Sequence, residues 1–494
     1  MKKAGSLFLL CLLLLICPST VRAEPYEIVM QFLCNGDTPQ GLQQVQDAVN
    51  EITEERIGAT IRLVPTNASS FDASLSISAG EKLDLCVSAY GGITELILDG
   101  YLMELDELLD TCGTEVRNLC GMRLYGGSYQ GHIYGIPTVY SEGKRYGFIC
   151  RTDLMEKYGF SLEEDKYYSF DELEEFFRRV KEGEGEDFYI LGGSMCTNGM
   201  IERAAYTYDM LGANIYSGVL MLDKNMDEKK IVNLFETEEF AEFARRMYRW
   251  QEMGFFMPDT AISEDDANLL MKENKILGWF FHNAPGEEVE NASTSGCEVT
   301  FIPTQEAVRM TETSQDILWS IPTTCENPQK VMEFLELLYT DSDIMNLLQR
   351  GIEGVSYVVV EENEDGKLID FPEGETVETV PYYTNLGMFG NRMEAYIWVP
   401  GDISRNRLMR EFSDSISLNS PAWGYVFDTE LCAARISEIQ KVAEKYIGII
   451  ETGAVDPEIE LTMFLDELSE TEIEQVIAEN QQQFDLWRSQ KGEE

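Results

Sequence analysis

The chain has 494 residues, 44% hydrophobic and 11% aromatic, with 38 basic against 88 acidic side chains and a formal charge of −50. That length exceeds one ordinary domain and that composition can fill real cores, which excludes a disordered chain and favours two or more lobes. There is no basic footprint to neutralise phosphates, so a nucleic-acid binder is excluded, and anionic membrane surfaces would repel so acidic a protein.

The first residues read as a leader rather than as part of the fold. Lys2 and Lys3 precede an unbroken apolar run from Leu7 to Ile16, and the stretch to Val21-Arg22-Ala23 then turns polar and small. This is the three-part layout of a secretory signal peptide over 1–23, with an apolar run too short for a stable membrane span. Two fates remain open. Cleavage after Ala23 releases the protein, whereas Leu14-Leu15-Ile16-Cys17 is a degraded lipobox in which Cys17 would carry a lipid.

Beyond the leader, Tyr26 to Leu33 is rich in β-branched and aromatic residues and predicts a strand. A helix follows, with Leu42, Val45, Val49 and Ile52 on one stripe and Gly58 as its stop. Ala59 to Leu63 alternates as a second strand, another helix leads to Gly80, and Leu83 to Val87 is a third. This β-α-β-α-β order predicts a parallel sheet wrapped by helices, an α/β class. Ligands of such sheets bind beyond the carboxyl ends of the strands, here at Cys34-Asn-Gly-Asp37 and Ser88-Ala-Tyr-Gly-Gly92.

Further on, Ser169-x-x-Glu172 predicts a capping box for a helix with Leu173, Phe176 and Val180 on its inner face. Phe240, Phe243, Met247 and Trp250 form an aromatic stripe whose helical spacing predicts core packing. Asn327-Pro328 starts another helix. The last residues read as three helices carrying Ile436 to Ile450, Leu461 to Leu468 and Ile473 to Trp487, the last one capped by Ser469-x-x-Glu472.

Catalytic signatures are missing from this sequence. Its only histidines, His132 and His282, have no metal spacing, and no G-x-S-x-G or phosphate-binding P-loop occurs. Asp223-x-Asn225-x-Asp227 opens like a calcium loop, but Glu228 stands where glycine is needed and Leu234 where a bidentate glutamate is needed, so a polar turn is predicted. No cofactor is expected. Nine cysteines lie outside the leader, an odd number without a C-x-x-C. Cys86 and Cys150 read as small buried hydrophobes, and Cys112 with Cys120 could bridge a loop.

Several stretches carry a resemblance when taken in order. They are Asp99-Gly-Tyr-Leu-Met-Glu-Leu-Asp-Glu-Leu-Leu109, Gly131-His-Ile-Tyr-Gly-Ile-Pro137, Val232-Asn-Leu-Phe-Glu-Thr237 and Met253-Gly-Phe-Phe-Met-Pro-Asp259. Gly351-Ile-Glu-Gly-Val-Ser-Tyr357, Phe389-Gly-Asn391 and Ser420-Pro-Ala-Trp-Gly-Tyr-Val-Phe-Asp428 continue the series. Together they resemble the family 1 extracellular solute-binding proteins of ABC importers, in particular a Gram-positive lipoprotein group with a distinct C-terminal module. Val355-Ser356, Trp423 and the poor lipobox depart from that pattern.

The resemblance implies a two-lobed periplasmic-binding-protein-like fold of type II, each lobe a sheet flanked by helices. Residues 24–147 and 316–350 would form the first lobe, 148–315 and 351–428 the second, and 429–494 a helical region packed on both. Crossings are expected near Tyr146 to Cys150, near Ile317 to Ile321 and around Gly351. The implied function is capture of an oligosaccharide or similar polar solute by hinge closure, and its delivery to the permease subunits of an importer by an extracytoplasmic monomer. A secreted carbohydrate-active enzyme and a receptor for a sensor are the alternatives.

Sugars offer hydroxyls and apolar ring faces, so a sugar cleft needs aromatic rings beside polar anchors. Trp279, His282 and Asn283 supply that mixture in Gly278-Trp-Phe-Phe-His-Asn-Ala-Pro-Gly286. Tyr90 and Tyr140 follow strand ends or turns of the first lobe, and Trp319 lies at the second crossing. Glu353 and Tyr357 belong to the matched motif, and Asn391 follows Phe389-Gly390. Arg392 would suit an acidic sugar.

Overall fold

The structure is a computed structural model that describes residues 24–34, 36–67, 73–89, 93–197, 199–204, 208–311, 317–384 and 387–491. The leader and Tyr90 lie outside the described residues, as does most of the loop after Ser88.

The alternation read in the N-terminal part becomes a five-stranded sheet in the order Ala59–Asn67, Tyr26–Cys34, Leu85–Ala89, Ile317–Ser320, Ile136–Pro137. Its first three strands are parallel, and Ile317–Ser320 runs antiparallel to its neighbours. Successive side chains leave a strand on opposite faces. Ile28, Met30, Phe32, Leu85, Val87 and Trp319 therefore enter one core with the helices Leu42–Arg56, Pro328–Thr340 and Ser342–Arg350. Val29, Cys86 and Leu318 enter a smaller core on the other face. Tyr382, Met388 and Phe389 also pack into the larger core.

The second lobe centres on an antiparallel three-stranded sheet in the order Gly278–His282, Tyr146–Arg151, Val299–Pro303. Phe148, Cys150, Phe280 and Ile302 face one side, and Ile149, Trp279 and Phe301 the other. The first side meets Phe176 and Phe177 of the helix Phe170–Glu184 and Trp250 of Glu238–Glu252. Ser169 and Glu172 form the expected capping box, and Asn327 caps Pro328–Thr340 by accepting from the Lys330 amide.

The C-terminal helices Ala433–Glu451, Pro457–Ser469 and Ile473–Gln490 continue this same core through Ile439, Phe464 and Phe484. Ser469 does not cap the last of them. It stays helical at the end of the preceding helix, where its hydroxyl donates to the Asp466 carbonyl, and Glu472 enters the last helix from a left-handed conformation. A capping residue must leave the helical conformation of its own segment, and Ser469 is still the last residue of Pro457–Ser469. Glu451 is fully buried, and its carboxylate accepts from the amides of Gly199, Met200 and Ile201 at 2.8–3.0 Å.

Two expected crossings shift. Tyr146–Arg151 is the middle strand of the second sheet and Ile317–Ser320 a strand of the first, because both runs have two buried faces. The chain therefore crosses at 138–145 and begins its return at 304–311. These connections are tied together by Arg309, whose guanidinium bonds Glu142 at 2.5 Å and the carbonyls of Ser413 and Ile416. Gly143 has φ +72, and a Cβ there would meet Ile416 and the Val308 carbonyl, so only glycine lets the crossings approach. All nine described cysteines are free, including Cys112 and Cys120, and Cys86 and Cys150 are buried as expected.

Candidate solute-binding cleft

A cavity of about 180 Å³ opens where the first crossing leaves the first sheet. Pro137, Thr138, Tyr140, Ser141 and Gly143 to Arg145 supply one wall. His282, which ends the strand Gly278–His282, and Asn283, Ala284 and Glu287 just past it supply the opposite wall, and Ile317, Arg392 and Phe412 complete the lining.

Local geometry places each of these groups. Gly390 passes so close to the Leu338 carbonyl that a Cβ would lie 2.0 Å from its oxygen. That approach lets the Gly390 carbonyl accept from the Val139 amide and the Arg392 amide donate back to the Val139 carbonyl. Arg392 is thereby held over the Tyr140 ring, 3.9 Å from its centroid. Burial holds the Tyr140 phenol above its usual range, opposed by the nearby Arg405. Within the second wall, His282 stacks on Phe281 at 4.1 Å and meets Tyr146 edge-on.

Asn283 is only 1% exposed and acts as a brace. Its amide group donates to the Ala284 carbonyl and to Glu288, and its oxygen accepts from Asn291. Arg145 donates to the Asn283 carbonyl and to Glu288, and lies 4.4 Å from the centre of the Phe301 ring. Behind this wall Arg405 pairs with Glu290. Burial pushes the Glu287 carboxyl up, opposed by the Ala284 amide and Arg405. Arg350 is pushed down to about 10 by burial and by the like charges of Arg405 and Arg392. Elsewhere Trp398 stacks on Phe371 at 4.5 Å and lies near Tyr383 and Arg350.

The structure thus gathers Tyr140, His282 and Asn283 around one cavity. Asn391 reaches it only through its neighbour, since its own side chain caps the turn Arg392–Glu394 by accepting from the Met393 amide. Four expected residues lie elsewhere. Trp319 is fully buried, stacked on Phe389, with its indole N–H donated to the Met388 carbonyl at 2.6 Å. Trp279 is 4% exposed in the core on the outer side of the second sheet. Glu353 is exposed in a turn closed by Gly354 and Tyr357, and Tyr357 packs on Tyr396. Tyr90 lies outside the described residues. Glu287 and Arg405 were missed, and only the small-residue turn Ala284-Pro-Gly286 hinted at the first of them. Among the described residues no His/Cys/Asp/Glu group could hold a metal ion, and Asp223 accepts from the Asp227 amide in a turn.

Two sheets joined by crossing segments, with a polar cavity at the joint, define a two-lobed binding protein. The chain belongs to the bacterial extracellular solute-binding protein family, whose model matches residues 35–344, and it is accordingly extracytoplasmic. Residues 421–489 match a domain of unknown function, DUF3502. A carbohydrate ABC transporter substrate-binding protein of Streptococcus pneumoniae serotype 4 is 22% identical over 475 residues, 92% of this chain and 90% of the relative. The N-glycan transport solute-binding protein of S. pneumoniae superposes with a TM-score of 0.77 at 21% identity, covering 94% of this chain and all of the other. A human-milk-oligosaccharide-binding protein of Bifidobacterium longum infantis gives 0.61 at 13% identity, covering 94% and 99%. Among the described residues no helix is long and apolar enough to cross a membrane.

Proposed function

We propose that this protein encloses an oligosaccharide between its lobes and delivers it, chemically unchanged, to the permease subunits of an ABC importer. The observation that carries this reading is the cavity at the joint, walled from both sheets by an aromatic ring under a guanidinium and by polar strand-end groups. A ligand touching both walls favours the closed arrangement by the difference between its contacts in the two states. Tyr140, His282 and Arg392 would contact the sugar, with Asn283 holding the second wall in place. The relatives add weight, because solved complexes of the pneumococcal neighbour contain Man1GlcNAc and Man5GlcNAc. In this reading the protein acts as a monomer, the first sheet, with Tyr382, Met388 and Phe389 packed on it, moves against the second, and Cys17 or Ala23 marks the end of the leader.

Calorimetric titration with a panel of oligosaccharides, mannosyl-GlcNAc structures included, tests the proposal. Saturable binding of one glycan, recovered intact afterwards, is the expected result. Consumption of the glycan, or binding by none of the panel while a non-sugar solute binds, would overturn it.

A further inference from the structure

We propose that the C-terminal module, residues 421–489, is the bearing of the inter-lobe hinge: it holds the first lobe and the return crossing at once, and so sets the angle at which the lobes rest. This goes beyond the carbohydrate reading above and does not depend on which ligand binds. The motif Ser420-Pro-Ala-Trp-Gly-Tyr-Val-Phe-Asp428 is where the module meets the joint. Ala422, Tyr425 and Phe427 enter the second core. The Tyr425 hydroxyl donates to the Asn480 side-chain oxygen at 2.9 Å, and the Asp428 amide donates to Gln483 at 3.0 Å. The segment is thereby fixed to the last helix, Ile473–Gln490. Its other contacts leave the second lobe. The Ser420 amide donates to the Arg309 carbonyl at 2.8 Å, and the Arg309 guanidinium lies over the Trp423 ring, 5.6 Å from its centroid. Gly424 lies against Met122 and Tyr125 of the first lobe, so close that a Cβ would stand 3.3–3.5 Å from both. Burial and the charge of Asp428 hold the Tyr129 phenol above its usual range, which sets that carboxylate beside it. Lys491 spans the same boundary, 3.9 Å from the centre of the Trp487 ring and 4.9 Å from that of Tyr125.

The turn gripped in this way also positions the cleft. Gly121–Gly127 is a 3-10 helix, whose three residues per turn put Met122 and Tyr125 on one face while Arg123 and Leu124 are buried. Leu124 seats in the first core. Arg123, 4% exposed, donates to the Tyr140 carbonyl and pairs with Glu142 at 3.4 Å. Glu142 accepts in turn from Arg309. One carboxylate of the first crossing is therefore held between an arginine of the first lobe and an arginine of the return crossing. The module touches the supports of both, Tyr125 near the first and Trp423 on the second. Tyr140 lines the cavity, whereas among the described residues none of 421–489 does. The module therefore acts on a ligand only through the hinge. Contacts made in one arrangement of the lobes and not in another shift the balance between them by their own free energy. Motion between domains is the default unless an interface holds them, so a few rings packed at the pivot decide the resting angle.

The test uses the full chain and needs no ligand. Spin labels carried by an unnatural amino acid replace Glu55 in the first lobe and Glu182 in the second, both exposed, and leave the native cysteines untouched. Pulsed electron resonance then reads the distribution of inter-lobe distances. Tyr125→Ala combined with Trp423→Ala is expected to move the mean distance by about 2 Å or more, or to widen the distribution about twofold. Tyr125→Phe, which keeps the ring, should give the wild-type distribution. Phe464→Leu, packed on Phe235 and Tyr446 within the module, should lower the melting temperature without moving the distances. A folded double variant with the wild-type distribution overturns the proposal. A shift as large in Phe464→Leu overturns it too, because the effect would then be general loosening. If the double variant does not fold, Tyr125→Ala alone is judged by the same criterion. Glycan titration is a separate measurement, so failure of the carbohydrate reading leaves this result unaffected.

Discussion

Replacing Glu451 with alanine tests whether the C-terminal helices are structurally part of the second lobe. Its carboxylate is the sole partner shown for three consecutive buried amides, those of Gly199, Met200 and Ile201. Removing it strands those donors away from water. Each unsatisfied group costs about 1–3 kcal/mol, and local relaxation recovers part of the sum, so Glu451→Ala should destabilise the lobe by about 3–5 kcal/mol. Glu451→Gln keeps one acceptor but turns an NH₂ toward the amides, and should lose about 2–3 kcal/mol. Urea unfolding followed by tryptophan fluorescence reads the loss, and hydrogen exchange should accelerate at the three named amides. A loss under about 1 kcal/mol with unchanged protection would refute the argument that this carboxylate ties the module down.

Three further outcomes are expected. Trp319→Phe keeps the ring stack on Phe389 but loses the bond to the Met388 carbonyl, so it should cost about 1–3 kcal/mol while leaving glycan affinity unchanged, checked by melting and calorimetry. Arg309→Ala removes the ties to Glu142, Ser413 and Ile416, and should cost about 2–4 kcal/mol and weaken glycan binding through a looser joint; if neither changes, Arg309 does not hold the crossings. Because burial raises the Glu287 carboxyl above its usual 4.5, the folded protein holds that proton more firmly than the unfolded chain. Its stabilising contribution is full below the unfolded value and is lost as pH rises through the folded one, so Glu287→Gln should flatten the fall in melting temperature as pH rises above 4.5.

The first lobe was legible because its strands alternate or run between clear helix stops, as in Ala59 to Leu63 and the Val45–Val49 stripe. The second sheet was less so. Tyr146–Arg151 and Gly278–His282 bury both faces, which erases the period of two and made the first look like a crossing. The same double burial misled at Trp279 and Trp319, where a large indole in a strand reads equally as ligand platform or core. Tyr140, His282 and Asn283 were recoverable because each sits at a strand end or the turn just beyond it. Arg405 and Glu287 were not. In so charged a chain a single arginine or glutamate looks like solvated surface, and only the fold reveals which ones face inward.

The packing of Ile473–Gln490 against the second core makes the C-terminus a rigid handle on that half of the molecule, while Tyr26–Cys34 fixes the N-terminus in the other half. A donor dye near residue 26 and an acceptor near residue 490 would therefore follow the proposed closure directly. The protein could be turned into an optical reporter for its own ligand without altering a residue at the cleft.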